Sequence, residues 1–92
     1  MWLLIENAHR SSRDVLHLVM SLGIPQTIGR DGQGLWGLHM ASEQAARDAE
    51  WVLRRHPEMV HSVLGEHAHV RGVTDSPPAF THVQNVRGRA EA

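Results

Sequence analysis

Residues 26–40, QTIGRDGQGLWGLHM, predict a β-hairpin, and the position of this hairpin in the chain decides the fold. Asp31 and Gly32 are the preferred pair for a two-residue type I′ turn, because both central positions of that turn need a positive φ. Such a turn would place Ile28 opposite Leu35. The hairpin would then lie between two helices, one predicted on each side of it.

Two features of the same stretch bear on this hairpin. Apolar residues alternate with small or polar ones over residues 36–40, as in a half-buried strand. The glycines at positions 29, 34 and 37 leave two further alternatives open, a mobile loop or a close approach of another part of the backbone.

Each flanking helix has a start signal, an apolar stripe and a stop signal. Ser11 is a suitable N-cap for the first helix, and Gly23 with Pro25 ends it. Ser42 is a suitable N-cap for the second helix, which Pro57 ends. The apolar stripes, spaced as on one helix face, are Val15, Leu18, Val19 and Leu22 in the first helix and Ala45, Ala49, Val52 and Leu53 in the second.

The remaining segments predict strands. Residues 2–5, WLLI, form a short continuous apolar run, typical of a strand buried on both faces. Residues 67–73 alternate and predict another strand. Residues 59–64 leave strand and helix open: the valines favour a strand continuous with 67–73, whereas Pro57 and Gly65 would suit the two ends of a short helix.

The resulting order is β-α-β-β-α-β, an α+β chain with the split βαβ, or ferredoxin-like, arrangement. Two helices would pack on one face of an antiparallel sheet. The other face would be open to water, a ligand or a second subunit. We expect residues 1–73 to form one domain and residues 74–92 to form an extension with a turn, an edge strand within 79–86 and a frayed end.

Composition restricts the class of protein. The chain has 92 residues, a formal net charge of −1 and no cysteine. This size fits one domain, and the charge disfavours a role in binding nucleic acid. All nine basic residues are arginine, as expected for a GC-rich bacterial or phage gene. The first apolar run is too short to span a membrane, so we expect a cytoplasmic protein.

Histidine is unusually frequent, with eight residues. On a strand, His67 and His69 share a face, so their imidazoles suit Zn²⁺ or another divalent transition metal. His61 is a candidate third ligand. The simpler interpretation is that these histidines face solvent and that the protein needs no cofactor.

Four residues are candidates for binding a partner protein. Arg30 lies at the hairpin tip, where binding residues are common. Trp51 would mark a partner surface if it were exposed, although core packing is the favoured interpretation. Arg54 lies at the end of the second helix, where the helix dipole also explains it. Arg71 lies on the same strand face as His67 and His69.

No catalytic signature accompanies these residues. The sequence therefore favours a small non-enzymatic protein-interaction module, of regulatory or inhibitor type, that binds a partner protein and forms a homodimer through its open sheet face. The first alternative is a small-ligand or metal-binding protein that uses the histidines on a sheet face. The second alternative is a small oligomeric enzyme.

Overall fold

The computed structural model describes residues 1–86, which fold into five strands and three helices. Residues 87–92, which include the predicted frayed end, lie outside the described residues. The elements in chain order are β1 (Trp2–Glu6), α1 (Ser12–Val19), β2 (Thr27–Arg30), β3 (Trp36–His39), α2 (Glu43–Arg55), α3 (Pro57–Leu64), β4 (His69–Thr74) and β5 (His82–Asn85).

The strands form one antiparallel sheet with the order β4-β1-β3-β2-β5. The α+β class is therefore confirmed. Residues 3–5 of β1 are all buried, because β1 is paired on both sides and helices pack on one face of the sheet. α2 packs against β1 and β4, α3 packs against β4, and α1 packs against α3.

The two flanking helices begin where the sequence predicts. The Ser11 hydroxyl accepts a hydrogen bond from the amide of Asp14 at 3.3 Å, and the Ser42 hydroxyl accepts one from the amide of Ala45 at 3.1 Å. Each hydroxyl satisfies one of the amides that a helix start leaves without a partner. The buried side of α2 consists of Ala46, Ala49 and Leu53.

The favoured strand over residues 59–64 is wrong, because this segment is the helix α3. Pro57 occupies the first turn, and Gly65 follows the helix with a φ of 105°. Val60 and Leu64 lie one helical turn apart and are both buried, so the helix directs both into the core. A short apolar run does not distinguish a strand from a helix, and here the two end signals are decisive.

The predicted register of the hairpin is also wrong. Ile28 pairs with Leu38 instead of Leu35, so residues 31–35 form a longer loop. One carboxylate oxygen of Asp31 accepts hydrogen bonds from the amides of Gln33 at 2.7 Å and Leu35 at 3.1 Å. These bonds stabilise the loop locally, and aspartate is well suited to make them.

The second sheet face, opposite the helices, is not open as predicted, because Phe80 covers part of it. Gly29 and Gly37 are directly paired on β2 and β3. A Cβ atom added to Gly29 would lie 2.6 Å from the Phe80 ring, and one added to Gly37 would lie 2.4 Å from it. Trp2 packs beside Phe80, with ring centroids 5.4 Å apart. The glycines therefore permit a close approach, but by a side chain and not by backbone.

Phe80 belongs to a crossing segment, residues 75–81. β4 and β5 are the opposite edges of the sheet, so the chain between them must cross one face. The position of Phe80 shows that it crosses the second face. β5 then pairs with β2 and lies within residues 79–86, where the sequence predicts an edge strand. The predicted boundary between a domain of residues 1–73 and an extension of residues 74–92 stays a prediction.

We expect Phe80→Ala to lower the free energy of unfolding by about 1–3 kcal/mol, as for loss of a half-buried ring. Gly29→Ala should cost a similar amount in the wild type, because its Cβ would overlap the ring. In the Phe80→Ala background the same change should cost less than about 0.5 kcal/mol, because the overlapping ring is absent. Urea unfolding of the four proteins measures this cycle.

The control is Val83→Ala, on the adjacent strand β5. The Val83 side chain is 62% exposed, so its loss should change the free energy of unfolding by less than about 0.5 kcal/mol. Strictly additive costs for Gly29→Ala and Phe80→Ala would contradict the proposed close packing.

Candidate functional site

Trp51 is exposed on the outer side of α2, so the favoured core position is wrong. It is 60% exposed. It lies two residues from both Ala49 and Leu53, which places it on the side of the helix opposite these buried residues. The guanidinium carbon of Arg55 lies 4.5 Å from the centroid of the Trp51 ring, within the range of a cation–π contact.

Three arginines surround Trp51 on the helix surface. Arg47, Arg54 and Arg55 are three or four residues away from it, which makes them its neighbours on a helix. We call Trp51 and these three arginines the Trp51 surface. The sequence analysis selected Trp51 and Arg54 but not Arg47 or Arg55, although the spacing of four residues between each of these and Trp51 was a usable signal.

Ion pairs fix two of these arginines. Arg47 Nε lies 3.3 Å from Glu43, and Arg54 Nε lies 3.3 Å from Glu50. Arg54 also donates a hydrogen bond to the carbonyl oxygen of Arg71 at 3.2 Å, which joins α2 to β4. Among residues 1–86, Arg55 forms no ion pair with a carboxylate, so its positive charge is available to a partner.

Arg30 lies apart from the other three predicted partner-binding residues. It is on β2, with its guanidinium carbon 6.0 Å from the centroid of the Trp36 ring. α2 and its neighbour β4 belong to the other half of the sheet. The structure thus places Trp51 and Arg54 together on α2, joins Arg54 to the backbone of Arg71, and places Arg30 elsewhere.

The predicted metal ligands form other contacts. His69 Nε2 lies 2.8 Å from a carboxylate oxygen of Glu6, and its Nδ1 lies 3.2 Å from the carbonyl oxygen of His67. The His67 side chain is 84% exposed and lies 3.6 Å from Glu66. Within residues 1–86, no group of three or more His, Asp or Glu residues is placed to hold a metal ion.

Two of the three histidines nevertheless share a groove. His61 and His69 line a groove of about 230 Å³ between α2, α3 and β4, together with Arg54. The apolar residues Leu53, Val60 and Val70 form much of the rest of its wall. The groove is small compared with typical pockets for organic ligands, which measure roughly 300–1,000 Å³.

His39, which the sequence analysis did not single out, occupies a special environment. Its ring packs against Trp2, with centroids 4.9 Å apart, on the same face as Phe80. Burial lowers the pKa of His39 below its ordinary value, and the positive N-terminal amino group lowers it further. The pairing of Trp2 with His39 depends on strand register, so the sequence alone carries little signal for it.

Comparison of the chain with protein-family models, curated proteins and solved structures finds no match. Within residues 1–86, no helix is both long enough and apolar enough to cross a membrane. The functional argument therefore rests on the geometry of the surfaces described above.

The lowered pKa of His39 predicts that this residue contributes less to the stability of the fold at acid pH. An unfolded histidine titrates near pH 6.5, as roughly expected for a free side chain. As the pH falls below this value, the unfolded state binds the proton before His39 does in the folded state, so unfolding becomes more favourable. His39→Phe keeps an aromatic ring but cannot titrate.

We therefore expect the loss of unfolding free energy between pH 7.5 and pH 5.5, roughly one unit on either side of the free value, to be smaller in His39→Phe than in the wild type. Urea unfolding at both pH values provides the measurement. Val83→Ala changes an exposed residue that does not titrate, so this variant should lose as much unfolding free energy between the two pH values as the wild type. An equal loss in His39→Phe would contradict the assignment.

Proposed function

We propose that this protein is a small non-enzymatic protein-interaction module, of regulatory or inhibitor type, and that it contacts its partner through the Trp51 surface. One observation carries the proposal: a tryptophan is 60% exposed on a helix whose packing is completed by Ala46, Ala49 and Leu53. Core packing therefore gives no reason for the large side chain at position 51.

The chemistry of the Trp51 surface supports protein binding. Tryptophan and arginine are enriched among the residues that contribute most to binding energy at protein interfaces. Arg55 already lies against the Trp51 ring, and Arg54 is held by Glu50 and by the carbonyl of Arg71, so less side-chain entropy is lost on binding. A fitting partner offers an apolar pocket with acidic groups around it.

A second copy of the chain is the first partner to consider. The outward side of α2 carries Asp48 near its middle and Arg55 at its end, with Trp51 between them. Two such helices packed antiparallel about a two-fold axis would place each Asp48 near the partner's Arg55. A two-fold contact uses the same patch on both subunits, so this order of charges suits a homodimer.

The finer fold assignment is part of the same proposal. We propose a split βαβ, or ferredoxin-like, arrangement to which α3 and β5 have been added. The neighbouring order of β4, β1, β3 and β2 supports it. In this arrangement the homodimer would use the outer side of the helical layer, because Phe80 covers part of the sheet face that the sequence assigned to it. A cytoplasmic location is also proposed, on the sequence prediction alone.

A photo-crosslinking amino acid at position 51 tests the proposal. In the purified protein, light activation of this amino acid should yield a covalent dimer. In cells of the source organism, activation should crosslink the chain to a second copy or to one defined partner protein. The matched control carries the same amino acid at position 83, where Val83 is as exposed as Trp51 but lies on β5. Absence of a product from position 51, or equal products from both positions, would overturn the proposal.

Charge reversal distinguishes a homodimer from another assembly. Asp48→Arg and Arg55→Asp should each weaken the dimer about tenfold, a typical effect of a like-charge contact, and the double variant should restore it. Sedimentation equilibrium measures the dissociation constants. A monomeric wild type at all accessible concentrations would exclude the second copy as the partner and leave a different protein as the only occupant.

A metal-binding function is the second candidate, and the groove shared by His61 and His69 favours it. The groove fits an ion or a ligand of a few atoms. An enzymatic function stays a prediction from sequence.

If the groove binds metal, native mass spectrometry of untagged protein with added Zn²⁺ should show one ion per chain. The ion should be lost in the variant with both His61→Ala and His69→Ala. His17→Ala, an exposed histidine on α1, should leave the stoichiometry unchanged. Protein free of zinc, or an unchanged stoichiometry in the double variant, counts against this candidate.

A further inference from the structure

A large cleft lies beside β5, away from the Trp51 surface. Its volume is about 660 Å³, within the range of roughly 300–1,000 Å³ typical of pockets for small organic ligands. α2 and α3 pack against β1 and β4, whereas β5 forms the opposite edge of the sheet. The cleft lies between β2, β3, β5 and the beginning of α1, and we call it the Arg30 cleft.

Strand register brings two cationic or potentially cationic side chains together in this cleft. Arg30 pairs with Trp36 on one side and with His82 on the other. Residues that pair directly across neighbouring strands have side chains on the same face. Trp36, Arg30 and His82 therefore form a row across β3, β2 and β5, and all three line the cleft.

The positive charge of Arg30 is not neutralised by a neighbour. Among residues 1–86, Arg30 forms no ion pair with a carboxylate. The adjacent Asp31 uses one carboxylate oxygen to accept the amides of Gln33 and Leu35, which holds it in the loop. A guanidinium presents a planar set of donors that matches a carboxylate or a phosphate.

The residues next to Arg30 are held in place. The Thr81 hydroxyl donates to the carbonyl oxygen of Arg30 at 3.3 Å and lies 3.1 Å from His82 Nδ1. Because the Thr81 hydroxyl proton goes to Arg30, His82 Nδ1 donates to the hydroxyl oxygen, and Nε2 donates to an anion when the ring is protonated. The indole N–H of Trp36 donates to the carbonyl oxygen of Ala8 at 2.8 Å, which fixes the ring beside the cleft.

Apolar and polar residues both line the cleft. Val83 is 62% exposed there, and the buried core residues Trp36 and Ile28 reach the cleft with a small exposed fraction. Pockets for small organic ligands commonly combine apolar walls with a few polar groups that fix orientation. A bare inorganic ion would leave the apolar part of this lining unused.

We propose that the Arg30 cleft binds a small organic anion, in which a carboxylate or phosphate contacts Arg30 and His82 while an apolar body lies against the apolar lining of the cleft. This site uses none of the residues of the Trp51 surface. It is therefore independent of the proposed protein-interaction function.

The test is a titration of the ¹⁵N-labelled full chain, followed by ¹H–¹⁵N NMR, with four probes. Benzoate and phenyl phosphate carry the two anionic groups on the same ring. Benzamide is the neutral analogue, and inorganic phosphate lacks the apolar body. We expect benzoate or phenyl phosphate to cause saturable chemical-shift changes of the Trp36 indole N–H and of amides in β2 and β5. The probe that binds more tightly identifies the preferred anionic group.

Arg30→Gln and His82→Gln should each weaken that binding, Arg30→Gln by at least about tenfold, as expected for loss of a charge-assisted contact. The matched control is Arg10→Gln, because the Arg10 guanidinium lies near Gly65, away from the cleft. The spectra themselves report whether each variant is folded. Trp51→Ala should bind the probes like the wild type, which separates this site from the proposed function.

Three results would overturn the proposal. Benzoate and phenyl phosphate could both fail to give saturable shifts at millimolar concentrations. Benzamide could bind as tightly as benzoate, which would remove the role of charge. Inorganic phosphate could bind as tightly as phenyl phosphate, with Arg30→Gln unaffected, which would remove both the apolar contact and the assigned residue.

Discussion

The contact of Phe80 with Gly29 and Gly37 is the constraint on which half of the sheet depends. Two paired glycines leave a depression on the second sheet face, and there the Phe80 ring approaches the backbone closely. The crossing segment is anchored at this point. Because Thr81 and His82 follow Phe80 directly, the same contact sets where β5 begins, and β5 in turn forms one wall of the Arg30 cleft.

The packing of the helical layer depends on the small side chains of α2. α2 packs on the sheet through two alanines and one leucine, which lets the helix axis come close to β1 and β4. A tryptophan on that side would force the helix away from the sheet. Trp51 is instead on the outer side, where it stays 60% exposed with Arg55 against its ring. Exposed apolar area of this kind is a free-energy cost that a partner can remove.

The parts of the fold that local chemistry determines could be predicted from sequence. Ser11 and Ser42 cap helices through hydrogen bonds to amides three residues further on, which are local contacts. The apolar run of β1 is long enough to identify a buried strand. Residues 59–64 could not be assigned in this way, because Val60 and Leu64 suit either structure until β4 is placed. The hairpin register depended on the Asp31 side chain, which favours a five-residue loop over a tight turn. Phe80 and Gly29 are far apart in the chain, so nothing local connects them.

The same distinction applies to the sites. Trp51, Arg54 and Arg71 were selected individually, but only the packing of α2 on β4 brings Arg54 to the carbonyl of Arg71. The ion pairs of Arg47 and Arg54 with Glu43 and Glu50 are exposed, and such pairs contribute little stability. Their main effect is to hold side chains in place. Among residues 1–86, Arg30 and Arg55 form no ion pair with a carboxylate, so both charges are available for binding. These two lie in different parts of the fold, and each lies against a tryptophan, so each can join a charged contact to an apolar one.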